Sequence, residues 1–378
     1  MHQIFLGFIS AMLAISTPQM TTNSTPPAPK DADQLGSTNS PGEQELEKIM
    51  TDDDAAMDEI DKWIQENAAF AKQGAGESKA ELNQRIMARL QTVRTNYEGF
   101  LTRYPTNADA YIAFGSFLYD TGDEEGAFNQ YEKSRQLNPK NPAVWNDMAN
   151  YYGEFSPVTN AFIYYAKAIE LNPKEPVYYE NMAVTVYLYR KDAREFYGIK
   201  EAQVFDKALA LYQKAVQLDP LNFVLMTDYA ESYYGIRPLR TNDALVAWTN
   251  ALKIAQGEDE RQAVYIHLAR IKIAAGMYDE AQAHLDAVTN ANLQDLKGRL
   301  ERTMANRKKG ASNLYEAYPT DQGMMTNQPA TNRNVASIPP VQIEMVKSNG
   351  VMSGVVYVTN NIADLTNQPA SSSGQKIP

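Results

Sequence analysis

The side chains that most often carry out chemistry in proteins are scarce in this chain. Its 378 residues include no cysteine and three histidines, His2, His267 and His284. No two histidines have the spacing of a His-x-x-x-His metal pair, and neither a phosphate-binding glycine loop nor a Gly-x-Ser-x-Gly nucleophile turn is present. The lack of cysteine excludes disulfides and thiolate ligands. We therefore predict no enzymatic activity, no catalytic residue, no cofactor and no metal, and expect His267 to be solvated or to face a partner.

Charge limits the class of partner. The chain carries 35 Lys and Arg against 46 Asp and Glu, a formal net charge of −11. This balance opposes broad binding to nucleic acid or to an anionic membrane surface. We expect protein partners, basic ones in particular, and no nucleic acid. The acidic run Asp52 to Asp54 lacks the glycine and distal glutamate of a calcium loop and is typical of a helix start.

Two series of small residues recur along the middle of the chain. One contains Gly115, Ala149, Ala183, Ala230 and Ala269, and the other contains Ala127, Ala161, Ala208, Ala244 and Ala281. The first three members of the former series are 34 residues apart, and the later gaps of 47 and 39 contain insertions. A fixed period of this length indicates a stack of identical supersecondary units.

Bulky side chains accompany each small residue at fixed offsets. Tyr111, Trp145, Tyr179, Met226 and Tyr265 precede the first series by four positions, and Tyr131, Tyr165, Tyr212, Trp248 and Leu285 follow the second by four. Antiparallel helices approach closely only where one side chain is tiny, and large neighbours fill the groove beside that contact. Pro139, Pro173 and Pro220 then end the second helix of three units.

This pattern resembles the tetratricopeptide-repeat family over roughly residues 107 to 290. The resemblance implies an all-α fold, a right-handed α-solenoid of helix-turn-helix repeats with disordered N- and C-terminal tails. Five repeats and a capping helix would occupy 107–309, with a 13-residue insertion in the third repeat. Degenerate helices at 44–106, the first over 44–73, would cap the other end. Composition predicts a disordered linker at 17–43 and a disordered tail at 310–378, in which 341–359 could form a β-hairpin.

The first residues suggest export. An apolar run from Ile4 to Ile15 followed by polar residues has the layout of a signal peptide at 1–16, although no Lys or Arg precedes it. We expect a periplasmic or extracellular protein, with a cytoplasmic or membrane-tethered one as the alternative. Membrane proximity would then come from the N-terminus.

In the family, the first helices line a groove that holds peptide segments. The resemblance places the following carboxylates, amides, tyrosines and other side chains there: Asp109, Ser116, Tyr119, Asp120, Asn146, Asp147, Asn150, Glu154, Glu180, Asn181, Tyr187, Thr227, Asp228, Glu231, Tyr234, His267 and Arg270. Acids attract Lys and Arg, and amides can hold an extended backbone. A basic or amide-rich segment is the expected ligand, and a merely solvated acidic face is the alternative.

A second candidate surface comes from the insertions, whose loops lie along one edge of a solenoid. It is a basic and aromatic ridge composed of Arg190, Lys191, Arg194, Tyr197, Arg237 and Arg240. Arginines there could grip an acidic partner, or the charges could simply be solvated. The function indicated is a non-enzymatic protein-interaction scaffold. The alternatives are a self-associating envelope protein that uses its C-terminal tail, and a regulatory subunit of an enzyme complex.

Overall fold

The structure is a computed structural model that describes residues 40–71, 74–155 and 157–309, and the backbone of two strands at 343–348 and 351–357. The predicted signal peptide and most of the predicted linker and tail lie outside these residues. The chain divides into two units, Met1–Thr326 and Asn327–Pro378. The described part of the first unit is helical. Its α-helices are α1 Pro41–Ala71, α2 Lys79–Arg103, α3 Ala108–Asp120, α4 Glu124–Leu137, α5 Pro142–Phe155, α6 Val158–Leu171, α7 Pro176–Leu188, α8 Arg190–Tyr197, α9 Glu201–Leu218, α10 Phe223–Ser232, α11 Thr241–Ile254, α12 Glu258–Ala274, α13 Tyr278–Asp286 and α14 Gln294–Lys308.

The helices pack as pairs of chain neighbours, except that α7 pairs with α9 beyond the short α8. The pairs are α1 with α2, α3 with α4, α5 with α6, α7 with α9, α10 with α11, and α12 with α13, and α14 packs on the last pair. Two short 3-10 turns, Tyr233–Gly235 and Ala291–Leu293, follow α10 and precede α14. The prediction of an all-α solenoid built from helix pairs is confirmed.

Local chemistry explains where these helices begin and end. Side-chain oxygens of Asn107, Asp123 and Asn222 accept hydrogen bonds from backbone N–H groups in the first turns of α3, α4 and α10. Gly122 and Gly276 take positive φ angles of 86° and 79° in the tight turns after α3 and α12. The second helices α4, α6 and α9 each end two residues before a proline.

The small residues of the repeat lie where the paired helices touch. Gly115 of α3 faces Tyr131 of α4, and a Cβ atom at Gly115 would lie 2.6 Å from the tyrosine ring. Ala149, Ala183, Ala230 and Ala269, which replace it in the later repeats, are fully buried. The close approach leaves the large second-helix side chains Tyr131, Tyr165, Tyr212 and Trp248 buried in the seam.

The N-terminal pair begins earlier than the composition suggests. α1 starts at Pro41, inside the segment predicted as linker, because Ser40 and Glu43 form a reciprocal cap: Glu43 N–H donates to Ser40 Oγ at 3.3 Å and Ser40 N–H to Glu43 Oε2 at 2.7 Å. Proline is favoured in the first helical turn, where its missing N–H costs nothing. Between α1 and α2, Arg89 donates to Asp52 at 2.7 Å and to Glu59 at 2.9 Å.

The insertion of the third repeat forms a separate short helix. α8 ends at Gly198, whose φ of 63° is left-handed, and its Ala193 is fully buried. Phe196 and Tyr197 pack on Phe162 of α6 with ring centroids 5.3 and 5.5 Å apart. The insertion is therefore anchored to the preceding repeat.

In the second unit, β1 Ile343–Ser348 and β2 Val351–Tyr357 pair antiparallel, with Ile343 opposite Tyr357 and an irregularity after Val346. Both strands lie within 341–359, where the sequence predicts a hairpin. Across the described residues, every helix is too short or too polar to cross a membrane.

Candidate functional site

The first helices of the repeats form a continuous surface. α1 contacts α3, α3 contacts α5, and α5 contacts α7. Further along, Tyr234 after α10 reaches His267 of α12. We call the surface formed by α1, α3, α5, α7, α10 and α12 the groove.

The predicted amides of the groove hold the repeats together. Asn146 is fully buried, accepts from Asn181 Nδ2 at 3.0 Å and donates to Asp147 Oδ1 at 3.2 Å. Asn150 accepts from the Tyr165 hydroxyl at 2.7 Å. These side chains therefore form hydrogen bonds with other residues of the solenoid. Asn146 and Asp147 are buried, although the sequence spacing places them on the surface of the groove.

Asp109 and Tyr119 lie at the two ends of α3. Asp109 is exposed and accepts from Asn141 Nδ2 at 2.9 Å, which joins the first repeat to the second. Tyr119 is half-buried, packs edge-on against Phe155 at 6.3 Å and hydrogen-bonds Glu154. Burial and the Glu154 charge raise the pKa of Tyr119, so its phenol stays protonated.

Desolvated carboxylates occupy the N-terminal part of the groove. Burial raises the pKa of Asp53 to about 7, although Tyr97 donates to it at 2.9 Å, and the nearby Asp120 charge raises it further. Burial and Glu154 raise the pKa of Asp120 to about 6. Carboxylates from α1, α3 and α5 thus lie close enough to oppose each other's ionisation.

A second set, Glu180, Asp228 and Glu231, lies between α7 and α10, and we call it the carboxylate cluster. Burial, then the Asp219 charge, raises the pKa of Glu180 to about 7. Burial, then Glu180, raises the pKa of Asp228 to about 8. Burial and Asp228 also raise the pKa of Glu231, against the opposing effect of Arg270. The side chains of Glu180 and Asp228 form no hydrogen bond or ion pair with any residue in the described part of the chain.

His267 lies beside this cluster and is buried, so the expectation of a solvated histidine is wrong, and contact with a partner stays a prediction. Its ring stacks on Trp248 with centroids 4.0 Å apart, and Nδ1 lies 2.8 Å from the Tyr234 hydroxyl. Burial and the Arg270 charge lower the pKa of His267 to about 3, so the imidazole is neutral. Arg270 lies over the Tyr234 ring at 4.3 Å, and Nε2 of His267 is 3.9 Å from Glu231. Spacing along one helix could not reveal the tryptophan of the neighbouring helix that covers it.

The bulky second-helix residues lie directly beneath the groove. The Tyr131 hydroxyl donates to Ser116 at 3.4 Å, and the Tyr165 hydroxyl donates to Asn150 at 2.7 Å. Tyr212 occupies the same place in the third repeat. In successive helix pairs, a small residue of the first helix thus packs against a buried aromatic residue of the second. This recurring contact identifies the architecture. The helical region is an α-solenoid of repeated helix pairs, the arrangement that the resemblance to tetratricopeptide repeats implies.

Three solved structures show limited similarity to this chain. MamA is 17% identical with a TM-score of 0.38, and the match covers 55% of this chain and 96% of MamA. YrrB, described as a TPR protein with an unusual peptide-binding site, is 14% identical with a TM-score of 0.41, over 57% of this chain and 97% of its own. PilF of Pseudomonas aeruginosa is 14% identical with a TM-score of 0.42, over 65% and 99%. No protein-family model matches the sequence, and neither does any curated protein.

Most of the positive charge of the predicted ridge is engaged within the solenoid. Arg190 donates to the Tyr187 carbonyl at 3.0 Å, and its guanidinium lies 5.5 Å from the Tyr187 and Phe205 rings. Arg237 donates to the Tyr234 carbonyl at 2.6 Å, and Arg240 pairs with Asp206 at 2.6 Å.

The remaining ridge residues differ in exposure. Arg194 lies 3.7 Å from Glu195, and Lys191 is exposed. Tyr197 packs inward, and Lys207 Nζ lies 4.2 Å from its ring centroid. Lys191 and Arg194 are thus the ridge cations that remain best placed to meet a partner.

Sequence reasoning missed three residues of the site. Asp53 lies on a helix outside the clear repeats, although the similarity of α1 and α2 to a degenerate repeat is a signal for it. Tyr212 and Trp248 were assigned to packing alone, because the sequence does not show that the polar atom of each is buried without a hydrogen-bond partner among the described residues. Within those residues, no group of three His, Cys, Asp or Glu side chains is placed to hold a metal ion.

Proposed function

We propose that this chain is a non-enzymatic interaction scaffold whose groove holds an extended, positively charged segment of another protein. The observation that carries the proposal is the line of carboxylates along the first helices, Asp53, Asp120, Glu180, Asp228 and Glu231, whose pKa values are all raised by burial. A cationic ligand would relieve this cost, because an opposite charge favours the ionised carboxylate. Tyrosines between the acids offer contact area and polar tips.

The alternative of a solvated acidic face is less favourable physically. Solvated surface carboxylates keep ordinary pKa values, whereas those of the groove are held out of water. Few positive charges offset them: Arg270 acts on Glu231, while the charges that act on Glu180 and Asp228 are those of other acids. The groove therefore suits a partner that brings its own cations.

A peptide array tests this function. Decapeptides of every charge from −4 to +4, synthesised as designed sequences, are probed with the full-length protein at low and moderate salt. Signal should rise with peptide charge and fall with salt. The control variant Lys191→Glu with Arg194→Glu, on the ridge, should keep this pattern. Binding that ignores charge, or that favours acidic peptides, contradicts the proposal.

Export remains part of the proposal and rests on the apolar run from Ile4 to Ile15. Sequencing the N-terminus of the protein purified from its native cells tests it. A start near residue 17 supports cleavage and export, whereas a start at Met1 in a cytosolic fraction contradicts both.

Self-association through the second unit is the second candidate function. It is favoured by the pairing of β1 with β2, since each strand of a two-stranded sheet has one edge that the other strand does not cover. Light scattering on the full chain and on a version ending at Lys309 tests whether the chain self-associates through the second unit. A monomer in both contradicts self-association.

A further inference from the structure

The Tyr212 hydroxyl is a buried polar group that lacks the partner its counterparts have. Tyr131 donates to Ser116 and Tyr165 donates to Asn150, each across the seam of its own helix pair. At the matching position of the third repeat stands Val184, which offers no acceptor. Tyr212 is fully buried, and its hydroxyl has no hydrogen-bond partner among the described residues. An unsatisfied buried hydroxyl costs stability, commonly about 1 to 3 kcal/mol.

This hydroxyl lies among the carboxylate cluster. The charges that act on it are those of Asp228, Glu180 and Glu231, together with the Tyr187 phenol. Glu180 is 6% exposed, and the side chain of Glu231 is 9% exposed. Three acids on α7 and α10 thus act on one hydroxyl on α9, and Arg270 of α12 opposes only Glu231 among these acids.

We propose that Glu180, Asp228, Glu231 and the Tyr212 hydroxyl form a subsite for one cationic side chain, a lysine or an arginine, of the segment bound in the groove. This inference rests on the proposed function and places its main specificity between the third and fourth repeats. The cation would donate to the carboxylates and to a lone pair of the Tyr212 oxygen, while the Tyr212 proton is donated to one carboxylate. Tyr187, which acts on the Tyr212 hydroxyl, borders the subsite and suits the apolar stem of such a side chain.

Desolvation explains why the subsite favours a cation. Ionising two buried acids without a counter-charge costs free energy, and a bound cation offsets this cost by pairing with them. A lysine ammonium presents three donors from a compact charge, whereas an arginine guanidinium presents a planar fork. The peptides tested therefore distinguish the two side chains.

Calorimetric titration of the full chain tests the subsite. The probes are acetylated and amidated decapeptides of lysine, of arginine and of alternating glycine and glutamine. The variants are Glu180→Gln with Asp228→Asn, Tyr212→Phe, and Asp53→Asn with Asp120→Asn as the charge-matched control, two half-buried groove acids outside the subsite. We expect the Glu180→Gln, Asp228→Asn variant to weaken binding of the preferred cationic peptide by about tenfold or more, Tyr212→Phe by about two- to fivefold, and the control by less than about threefold.

Three other outcomes would each contradict either the subsite or the proposed function. If the cationic peptides bind but the Asp53→Asn, Asp120→Asn control weakens binding as much as the Glu180→Gln, Asp228→Asn variant does, diffuse charge holds the segment, and the subsite is wrong while the proposed function stands. Competition by spermidine at equal charge concentration indicates a small-molecule polyamine site and also overturns the subsite. If neither cationic peptide binds the wild-type protein more tightly than the neutral one, the proposed function itself fails. Amide replacements keep size and shape, and matching circular dichroism spectra verify that the variants fold.

Discussion

At the scale of single residues, the solenoid depends on a few positions where the backbone of one helix meets a ring of the next. Gly115 is the clearest, because a Cβ atom there would lie 2.6 and 2.7 Å from two atoms of Tyr131. The Tyr131 ring is confined, being 3% exposed and hydrogen-bonded to Ser116. A methyl group could be accommodated only by moving the two helices apart.

Gly115→Ala should therefore destabilise the protein, by about 1 to 3 kcal/mol, through overpacking of the α3–α4 seam. Gly99→Ala is the matched control, since Gly99 is also helical and its Cβ would meet nothing nearer than 4.0 Å. The control should be neutral or stabilising by up to about 1 kcal/mol, because alanine is the better helix former. Urea unfolding followed by circular dichroism measures both, and equal effects would refute the steric account.

The carboxylate cluster makes a prediction about stability and pH. Asp228 has a folded-state pKa of about 8, raised chiefly by burial. Between its unfolded pKa and this value, the folded state binds more protons than the unfolded state, so stability falls as pH rises through that window. Asp228→Asn removes this loss, and its advantage over wild type should grow between pH 5 and pH 8.5, by roughly 1 to 3 kcal/mol. Urea midpoints at the two pH values measure it.

Asp109→Asn controls for the removal of one negative charge. Asp109 is exposed at the start of α3, so the difference between this variant and wild type should stay nearly constant over the same pH range. If Asp228→Asn behaves in the same way, Asp228 is not desolvated in solution.

At the scale of elements, the sequence predicts the helix pairs wherever a small residue and its bulky neighbours recur every 34 residues. The spacing of Gly115, Ala149 and Ala183 is enough to predict α3 to α7, because close packing of paired helices requires a small residue opposite a bulky one. The length of the insertion could be predicted from the sequence. That it forms a helix which ends before Gly198 could not, because this end depends on a left-handed backbone conformation. Composition alone misses the start of α1, because it treats Pro41 as linker rather than as the residue that follows the cap formed by Ser40 and Glu43.

The same limit explains the errors in the groove. Periodicity places Asn146 and His267 on the first-helix face correctly, but burial depends on what the neighbouring helix contributes. Asn181 covers Asn146, and Trp248 covers His267. A position along one helix carries no information on either neighbour, so exposure was predicted for side chains that are enclosed.

The N-terminal helix pair offers a test of its own. Arg89 of α2 joins Asp52 and Glu59 of α1, and its side chain is 17% exposed. Arg89→Met should keep the apolar stem and remove both ion pairs, lowering stability by about 1 to 2 kcal/mol. Hydrogen exchange should quicken in α1 and much less in α12. Equally faster hydrogen exchange in both helices would mean that the Arg89 ion pairs do not stabilise the N-terminal helix pair locally.

At the scale of the whole molecule, the distinguishing property is a negatively charged groove that titrates near neutral pH. Asp120, Glu180 and Asp228, with pKa values of about 6, 7 and 8, lose their protons in sequence as pH rises. Lysine side chains of a ligand stay charged throughout this range, because their pKa is near 10.4.

Affinity for a lysine decapeptide should accordingly increase between pH 5.5 and pH 8.5, by about tenfold, as the groove gains charge. Titrations at constant ionic strength measure this. The Glu180→Gln, Asp228→Asn double variant should show a flatter profile. Affinity that is constant or falls with pH in the wild-type protein would contradict the electrostatic basis of binding.

The central claim is that the first-helix groove, rather than the ridge or another face, holds a cationic segment. A lysine decapeptide with one photo-reactive benzophenone residue, crosslinked to the full-length protein and mapped by mass spectrometry, tests it most directly. We predict crosslinks on α3, α5, α7, α10 and α12, and their loss in the presence of excess unlabelled peptide. Crosslinks concentrated on α8, on the second helices or on the second unit would contradict the claim.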